Sequence, residues 1–274
     1  MKVCASCKPE ENLNDRSFSV SLPQWLKQTN FVKNFVQSMN PIQKITKTTT
    51  HFLYEIEFHP SMNNKIILVW ATIPSNSLEI KDAKNAYHHF ENHQIGKVSK
   101  NGKLKVFLKI PQLYYVLENN KKVVYPRHFH FVIRDKDQWN PQVYTHIITP
   151  IVDRTFVKKR ISNQNAIIVN SLPPKIYSQT KINKNVLNLS EEIISKKNKN
   201  YWRRKLLSFI EKNYSNIFFL IKSKHLKLEN VPIIVYCKNT NCKSSEKWIE
   251  KMLEFGYYNL YHYEAGFDNF VNNN

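Results

Sequence analysis

Cysteine is scarce in this sequence. Four in 274 residues are too few for a disulfide scaffold, so the thiols are expected to be reduced and each needs its own explanation. Long apolar runs are missing as well. No stretch reaches about 18 consecutive apolar residues, and the opening MKVCASCKPEENLNDRS has no apolar core of a secretory signal. Neither a membrane span nor export is expected, and the reading is a cytoplasmic protein. Acidic side chains are in short supply too: 21 Asp and Glu face 41 Lys and Arg, a net charge of +20. Such an excess ordinarily points to a polyanion. Here the basic residues are spread along the chain beside many Asn and Ile, with no compact arginine cluster among aromatics. WRRK (202–205) comes closest and reads as the charged face of a surface helix. The excess implies nonspecific polyanion binding and no dedicated interface. Internal repeats and long low-complexity tracts are absent.

What is present is enough apolar material, 42% of residues, to fill one large core or two ordinary ones. The composition changes near residue 155. Before it, THFLYEIEFH (50–59), NKIILVWATI (64–73), KLKVFLKI (103–110), HFHFVI (128–133) and QVYTHIITPIV (142–152) are β-branched and aromatic, punctuated by turns such as Asn101-Gly102. After it, the short apolar runs AIIVN (166–170), IFFLI (217–221) and PIIVYC (232–237) read as buried strands. They alternate with amphipathic YWRRKLLSFIEKN (201–213) and SEKWIEKMLEFG (245–256). The expected fold is multidomain α+β: a flexible tail over 1–15, an antiparallel β-sandwich over 16–152, a linker over 153–164, and an α/β domain with a central parallel sheet over 165–274.

The segment IIVYCKNTNCKSSEKW (233–248) concentrates the chemistry. A continuous apolar run ends at Cys237, a polar loop follows, and Ser244 and Ser245 can cap a helix. Trp248, Ile249, Met252 and Leu253 form that helix's apolar stripe, and Gly256 stops it. A thiol there is expected among the loop N–H groups of Lys238, Asn239, Thr240, Asn241 and Ser244 and near the cation of Lys243, all of which favour thiolate. The competing reading is a small buried residue ending a strand. Cys242, five residues on, either resolves an oxidised Cys237 as a disulfide or packs the loop.

The text from 231 to 271 resembles the C-terminal half of rhodanese-like domains: strand, cysteine loop, helix, Gly256-Tyr257, the strand NLYHY, then Ala265-Gly266 before Phe267 and Phe270. Upstream, AIIVN, Ile182 and Asn185-Val186 follow the family pattern. Asn170 and Leu172 stand where the family usually has Asp and Arg, and the usual His before Ile182 is absent. The resemblance implies that Cys237 accepts a sulfane sulfur as a persulfide from a small donor and passes it to a thiol acceptor, with Lys243 supplying positive charge and no cofactor required. Related cysteine phosphatases carry an arginine six positions after the cysteine. Lys243 occupies that position here and lacks the bidentate fork such chemistry needs.

In YPRHFHF, His128 and His130 stand two apart on a strand pattern, so both imidazoles share one face, as metal ligands do. With DAKNAYHHF (82–90) and NGKLKVFLKIPQLYY (101–115), this region resembles the intradiol ring-cleavage dioxygenases, β-sandwich enzymes that hold ferric iron with two tyrosines and two histidines. Tyr87, Tyr114, His128 and His130 match those ligands, and phenolate with imidazole suits a hard, high-valent iron. Ala86 replaces a family glycine and Tyr125 a family arginine. His88, His89, His93 and His146 read as surface or packing residues. Cys4 and Cys7 form a lone CxxC; a zinc site needs four ligands and no second CxxC exists. Three function classes follow: sulfur or thiol-redox chemistry at Cys237, an iron oxygenase, or a noncatalytic structural protein, such as a virion component, built on two retired enzyme folds.

Overall fold

The computed structural model describes residues 51–272 apart from 89, 136, 137, 141 and 197. The expected tail, the start of the expected sandwich, Cys4, Cys7 and His89 lie outside the described residues. The chain divides into two compact units, one holding residues 51–75 and 82–148, the other 76–81 and 149–272.

The first unit contains β1 (His51–Glu57), β2 (Ile66–Ala71), the short β3 (Lys81–Asp82) at its edge in sequence, helix α1 (Ala83–Tyr87), β4 (His93–Lys97), β5 (Lys103–Lys109), β6 (Tyr114–Glu118), β7 (Lys121–Tyr125), β8 (His128–Asp135), β9 (Gln138–Trp139) and β10 (Tyr144–Ile147). Its pairings β1–β5, β2–β4, β2–β8, β8–β10, β8–β9 and β6–β7 are antiparallel. Alternation makes β5 a half-buried strand, with Leu104, Val106 and Leu108 inward and Lys105 and Phe107 between them. β2, flanked on both sides, is buried from Ile67 to Ala71. The β6–β7 hairpin turns at Asn119 and Asn120, with φ of 47° and 60°, the left-handed pair that Asn tolerates in a tight turn. Leu68, Trp70, Ile95 and Val132 pack with Tyr87, Tyr114 and Tyr125 into one core.

The second unit is built on a parallel sheet of order β12-β11-β13-β14, from β11 (Ile167–Asn170), β12 (Val186–Asn188), β13 (Ile233–Tyr236) and β14 (Leu260–Tyr263). β11, β13 and β14 are buried at every position, as strands covered on both faces must be. The helices are α2 (Arg154–Ser162), α3 (Pro174–Tyr177), α4 (Glu191–Lys196), α5 (Lys199–Asn213), α6 (Ser215–Lys222), α7 (Ser244–Glu254) and α8 (Gly266–Asn272). Asn198 caps α5 by accepting the N–H of Tyr201 at 3.0 Å. Trp202, Leu206 and Ile210 form its buried stripe, while Arg203, Arg204 and Lys205 stay exposed. Trp248, Ile249 and Met252 of α7 join the same core, against which Leu78 also packs.

Three sequence expectations change here. Residues 153–164 are no linker: Asp153 accepts the N–H of Phe156 at 2.8 Å and starts α2, whose Val157 is fully buried. Residues 149–152 belong with the second unit, because His262 N–H donates to Pro150 and Val152 N–H to the carbonyl of His262, each at 2.9 Å. IFFLI is helical within α6, since a short, all-apolar run carries no period to separate strand from helix. Among the described residues no helix is long and apolar enough to cross a membrane.

Candidate functional site

Cys237 directly follows β13, the strand held between β11 and β14, so its sulfur sits at the carboxyl edge of the sheet. The loop 237–243 leads into α7. Gly266, at φ 64°, opens α8 against this loop, and the N–H groups of Phe267 and Asp268 donate to the carbonyls of Cys237 and Lys238 at 3.0 and 2.9 Å. A Cβ on Gly266 would lie 2.6 Å from both carbonyl oxygens, so only glycine lets α8 approach this closely.

The thiol is not perched in an amide cradle. Cys237 is 0% exposed, and its Sγ lies 3.0 Å from the carbonyl oxygen of Cys242 and 3.6 Å from that of Asn239. Carbonyl oxygens accept, so this is the setting of a protonated thiol. The N–H of Cys242 is turned to Asn239 O and that of Asn241 to Asn239 Oδ1, because the Asn239 side chain folds the loop inward as an Asx turn. Burial first, then the adjacent Cys242 thiol, pushes the Cys237 thiol up to about 11, while the hydroxyl and N–H of Ser245 pull it down. A depressed thiolate pKa is therefore not what this conformation gives. Lys243 is exposed and pairs with Glu246 at 2.9 Å, Lys238 is exposed as well, and Asn239 Nδ2 holds Asp268 at 2.8 Å. Thr240 and Asn241 are surface positions of the turn.

The expected serine cap is also different. The residue before the helix is Lys243, with no side-chain capping bond. Ser244 Oγ donates to the carbonyl of Ser171 at 2.8 Å, and Ser245 Oγ lies 3.2 Å from Cys237 Sγ and 2.8 Å from His262 Nε2. Sequence reasoning missed Ser245 and His262 as a pair. Seventeen positions separate them, and only the parallel pairing of Val235 with His262 brings the imidazole to the cysteine's edge of the sheet. Asn170, where the resemblance has Asp, is fully buried: its Nδ2 donates to Thr180 O, Thr180 Oγ1 and Tyr236 Oη at 3.0 to 3.1 Å, and its Oδ1 accepts from Leu172 N.

A four-strand parallel sheet that ends its inner strand in a cysteine loop, with a helix springing from the loop, is the arrangement the sequence resemblance implies. Residues 153–273 match the family model of the rhodanese-like domain. This chain carries a rhodanese-like domain. No curated protein matches the chain.

The first unit brings its four predicted ligands together. His128 and His130 share a face of β8, Tyr87 ends α1 and Tyr114 begins β6. His128 Nε2 is 3.1 Å from His130 Nε2 and 3.1 Å from Tyr114 Oη; His130 Nε2 is 2.9 Å from Tyr87 Oη, which is 3.4 Å from His128 Nε2. Both imidazoles are buried, and burial holds His128 down at about 4 and His130 well below the ordinary value. His128 Nδ1–H donates to the carbonyl of Pro126 at 2.7 Å, while His130 Nδ1 is engaged with Thr145 Oγ1 at 2.8 Å. The first bond leaves the His128 Nε2 lone pair facing His130 Nε2. Donors about 2 Å from a common metal at ordinary coordination angles stand about 3 Å apart, so the spacing fits. Among the described residues no three His, Cys, Asp or Glu side chains cluster, which makes the two phenols indispensable to any ligand set. His146 packs between Tyr54 and Phe129, His93 bonds the carbonyl of Phe90, and His88 pairs with Glu91 at the surface.

Proposed function

We propose that the rhodanese-like domain is a sulfur carrier of the sulfurtransferase type, with Cys237 as the residue that is loaded and Cys242 as its in-loop partner. The observation that carries this reading is the Cys237 sulfur at the carboxyl edge of the inner strand, touched by the Ser245 hydroxyl, with a second thiol in the same seven-residue loop. The closed loop is the resting state. When the carbonyls of Asn239 and Cys242 withdraw, the thiol deprotonates and its sulfur attacks a sulfane donor such as thiosulfate. The new bond joins Sγ to the sulfane sulfur, the donor's S–S bond breaks, and sulfite leaves with the electron pair. The outer sulfur then passes to a thiol acceptor, or Cys242 thiolate attacks the inner sulfur, forming the Cys237–Cys242 disulfide and releasing hydrosulfide. The loop residues 238–243 and Ser244 present their N–H groups to the anion only after opening, and Lys243 adds charge. Incubation with thiosulfate followed by mass mapping tests this: a sulfur-atom gain on the Cys237 peptide is expected, and Cys237→Ser abolishes it. Loading that persists in Cys237→Ser overturns the assignment, and no loading at all supports a noncatalytic protein.

A second reading has its own observation, the mutual 2.9–3.4 Å spacing of Tyr87, Tyr114, His128 and His130. We propose that the first unit is an intradiol-dioxygenase-like β-sandwich in which these four residues hold ferric iron, the phenols as phenolates. Bound there, the iron would supply Lewis-acid and redox chemistry. The protein's own contribution is to fix the His128 tautomer through the Pro126 carbonyl, to orient the His130 ring through Thr145 and to keep the donors dry. Reconstitution with ferric iron is expected to give a visible tyrosinate charge-transfer band, lost in Tyr87→Phe/Tyr114→Phe and retained in Cys237→Ser. A colourless, iron-free protein after reconstitution removes this reading. Small-molecule sulfur donors and thiols as partners, and an intracellular setting that keeps thiols reduced, follow from the first reading.

A further inference from the structure

Cys237, Ser245 and His262 form a continuous hydrogen-bonded line, 3.2 Å from sulfur to hydroxyl and 2.8 Å from hydroxyl to imidazole Nε2. Each member comes from a different element: the end of β13, the first turn of α7, and β14. Ser245 is fully buried and His262 is 7% exposed, so bulk water is a poor competitor for the proton. The backbone of His262 is held from both sides of its strand. Val235 is its neighbour on β13, and on the other edge its N–H and C=O are taken by Pro150 and Val152 at 2.9 Å. The charged groups facing His262 are Glu264 beyond the end of β14, Glu246 on α7 and Lys243 at the loop end, and the last two are paired with each other. The 150–152 segment adds only backbone, and β13 adds Cys237 itself.

We infer that His262 is the proton acceptor for Cys237, reached through the hydroxyl of Ser245. This rests on the reading of Cys237 as sulfur carrier. In the closed loop the S–H points toward the carbonyl of Cys242. Once that carbonyl leaves, the S–H turns to Ser245 Oγ. The thiol proton passes to Oγ as the hydroxyl proton passes to Nε2, leaving thiolate and imidazolium with no change in net charge. Burial keeps His262 below the ordinary histidine value, so at neutral pH the imidazole is unprotonated and free to accept. The two carboxylates steady the imidazolium that forms.

The pH profile of Cys237 alkylation by iodoacetamide, mass-mapped in the full-length protein, tests the relay separately from sulfur transfer. In the wild type the rate is expected to rise as His262 deprotonates in the acid range, then hold a plateau until the thiol itself ionises. In Ser245→Ala and in His262→Gln, which keeps a hydrogen bond to Ser245 but takes no proton, the plateau vanishes. The rate then climbs about tenfold per pH unit, roughly tenfold or more below wild type at pH 7.5. Circular dichroism confirms that both variants fold; a variant that does not is replaced by His262→Asn or Ser245→Gly and scored in the same way. Superimposable profiles for wild type and folded variants overturn the relay. Failure of thiosulfate loading with a wild-type plateau that the variants lose overturns the sulfur-carrier reading and leaves the relay standing.

Discussion

The Cys237 thiol donates toward carbonyl oxygens, and that alone sets its resting chemistry: an acceptor-lined, fully buried sulfur is held as S–H. Cys242 is half-buried in the same loop. Iodoacetamide at pH 7 is therefore expected to label Cys242 well before Cys237, and an order reversed on the peptide map would show the closed loop to be a minor state. Asn170 teaches a related lesson. The sequence marks it as a departure from the family's Asp. In the fold its two amide hydrogens are shared among three acceptors, two on Thr180 and the hydroxyl of Tyr236, and a carboxylate would set its charge against the Thr180 carbonyl. Asn170→Asp is expected to destabilise the domain by about 2 kcal/mol, read as a lower denaturant midpoint. Ser245 and His262 were invisible for a different reason: nothing in local spacing joins a helix's first turn to a strand, and only the sheet register does.

Among the elements, those with a clear period were legible from composition. KLKVFLKI alternates and became β5; YWRRKLLSFIEKN carries a 3.6-residue stripe and became α5; AIIVN and PIIVYC, short and wholly apolar, became inner parallel strands. IFFLI has the same apolar character and became a helix, and the segment read as a linker was nucleated into α2 by Asp153. The cysteine loop's position could be read, but not which way its amides point, because one side chain, Asn239, decides that. Gly266 supports the loop from the far side. Gly266→Ala combines a left-handed φ with a 2.6 Å approach to two carbonyl oxygens, and is expected to cost about 2–4 kcal/mol. It should also raise Cys237 labelling, since the displaced loop can no longer seal the sulfur. A variant with unchanged melting and unchanged labelling would mean that α8 does not brace the loop.

For the whole molecule, the cluster of four side chains in the first unit was legible because strand period put His128 and His130 on one face and the dioxygenase resemblance named Tyr87 and Tyr114 beside them, whereas the architecture around them was harder to read. The assignment of 149–152 to the second unit depends on long-range pairing with His262. The charge of +20 acts at this scale too. Retention on heparin at low salt is expected, falling steeply as salt rises and without preference among nucleic acid sequences. Retention that resists high salt would argue instead for a dedicated polyanion site. Finally, the six residues 76–81 are grouped with the α/β unit, and Leu78 packs against its core. The rhodanese-like part is thus not a detachable cassette: a gene fragment opening at codon 149 would omit a leucine its product needs, leaving a bare oily notch prone to clumping.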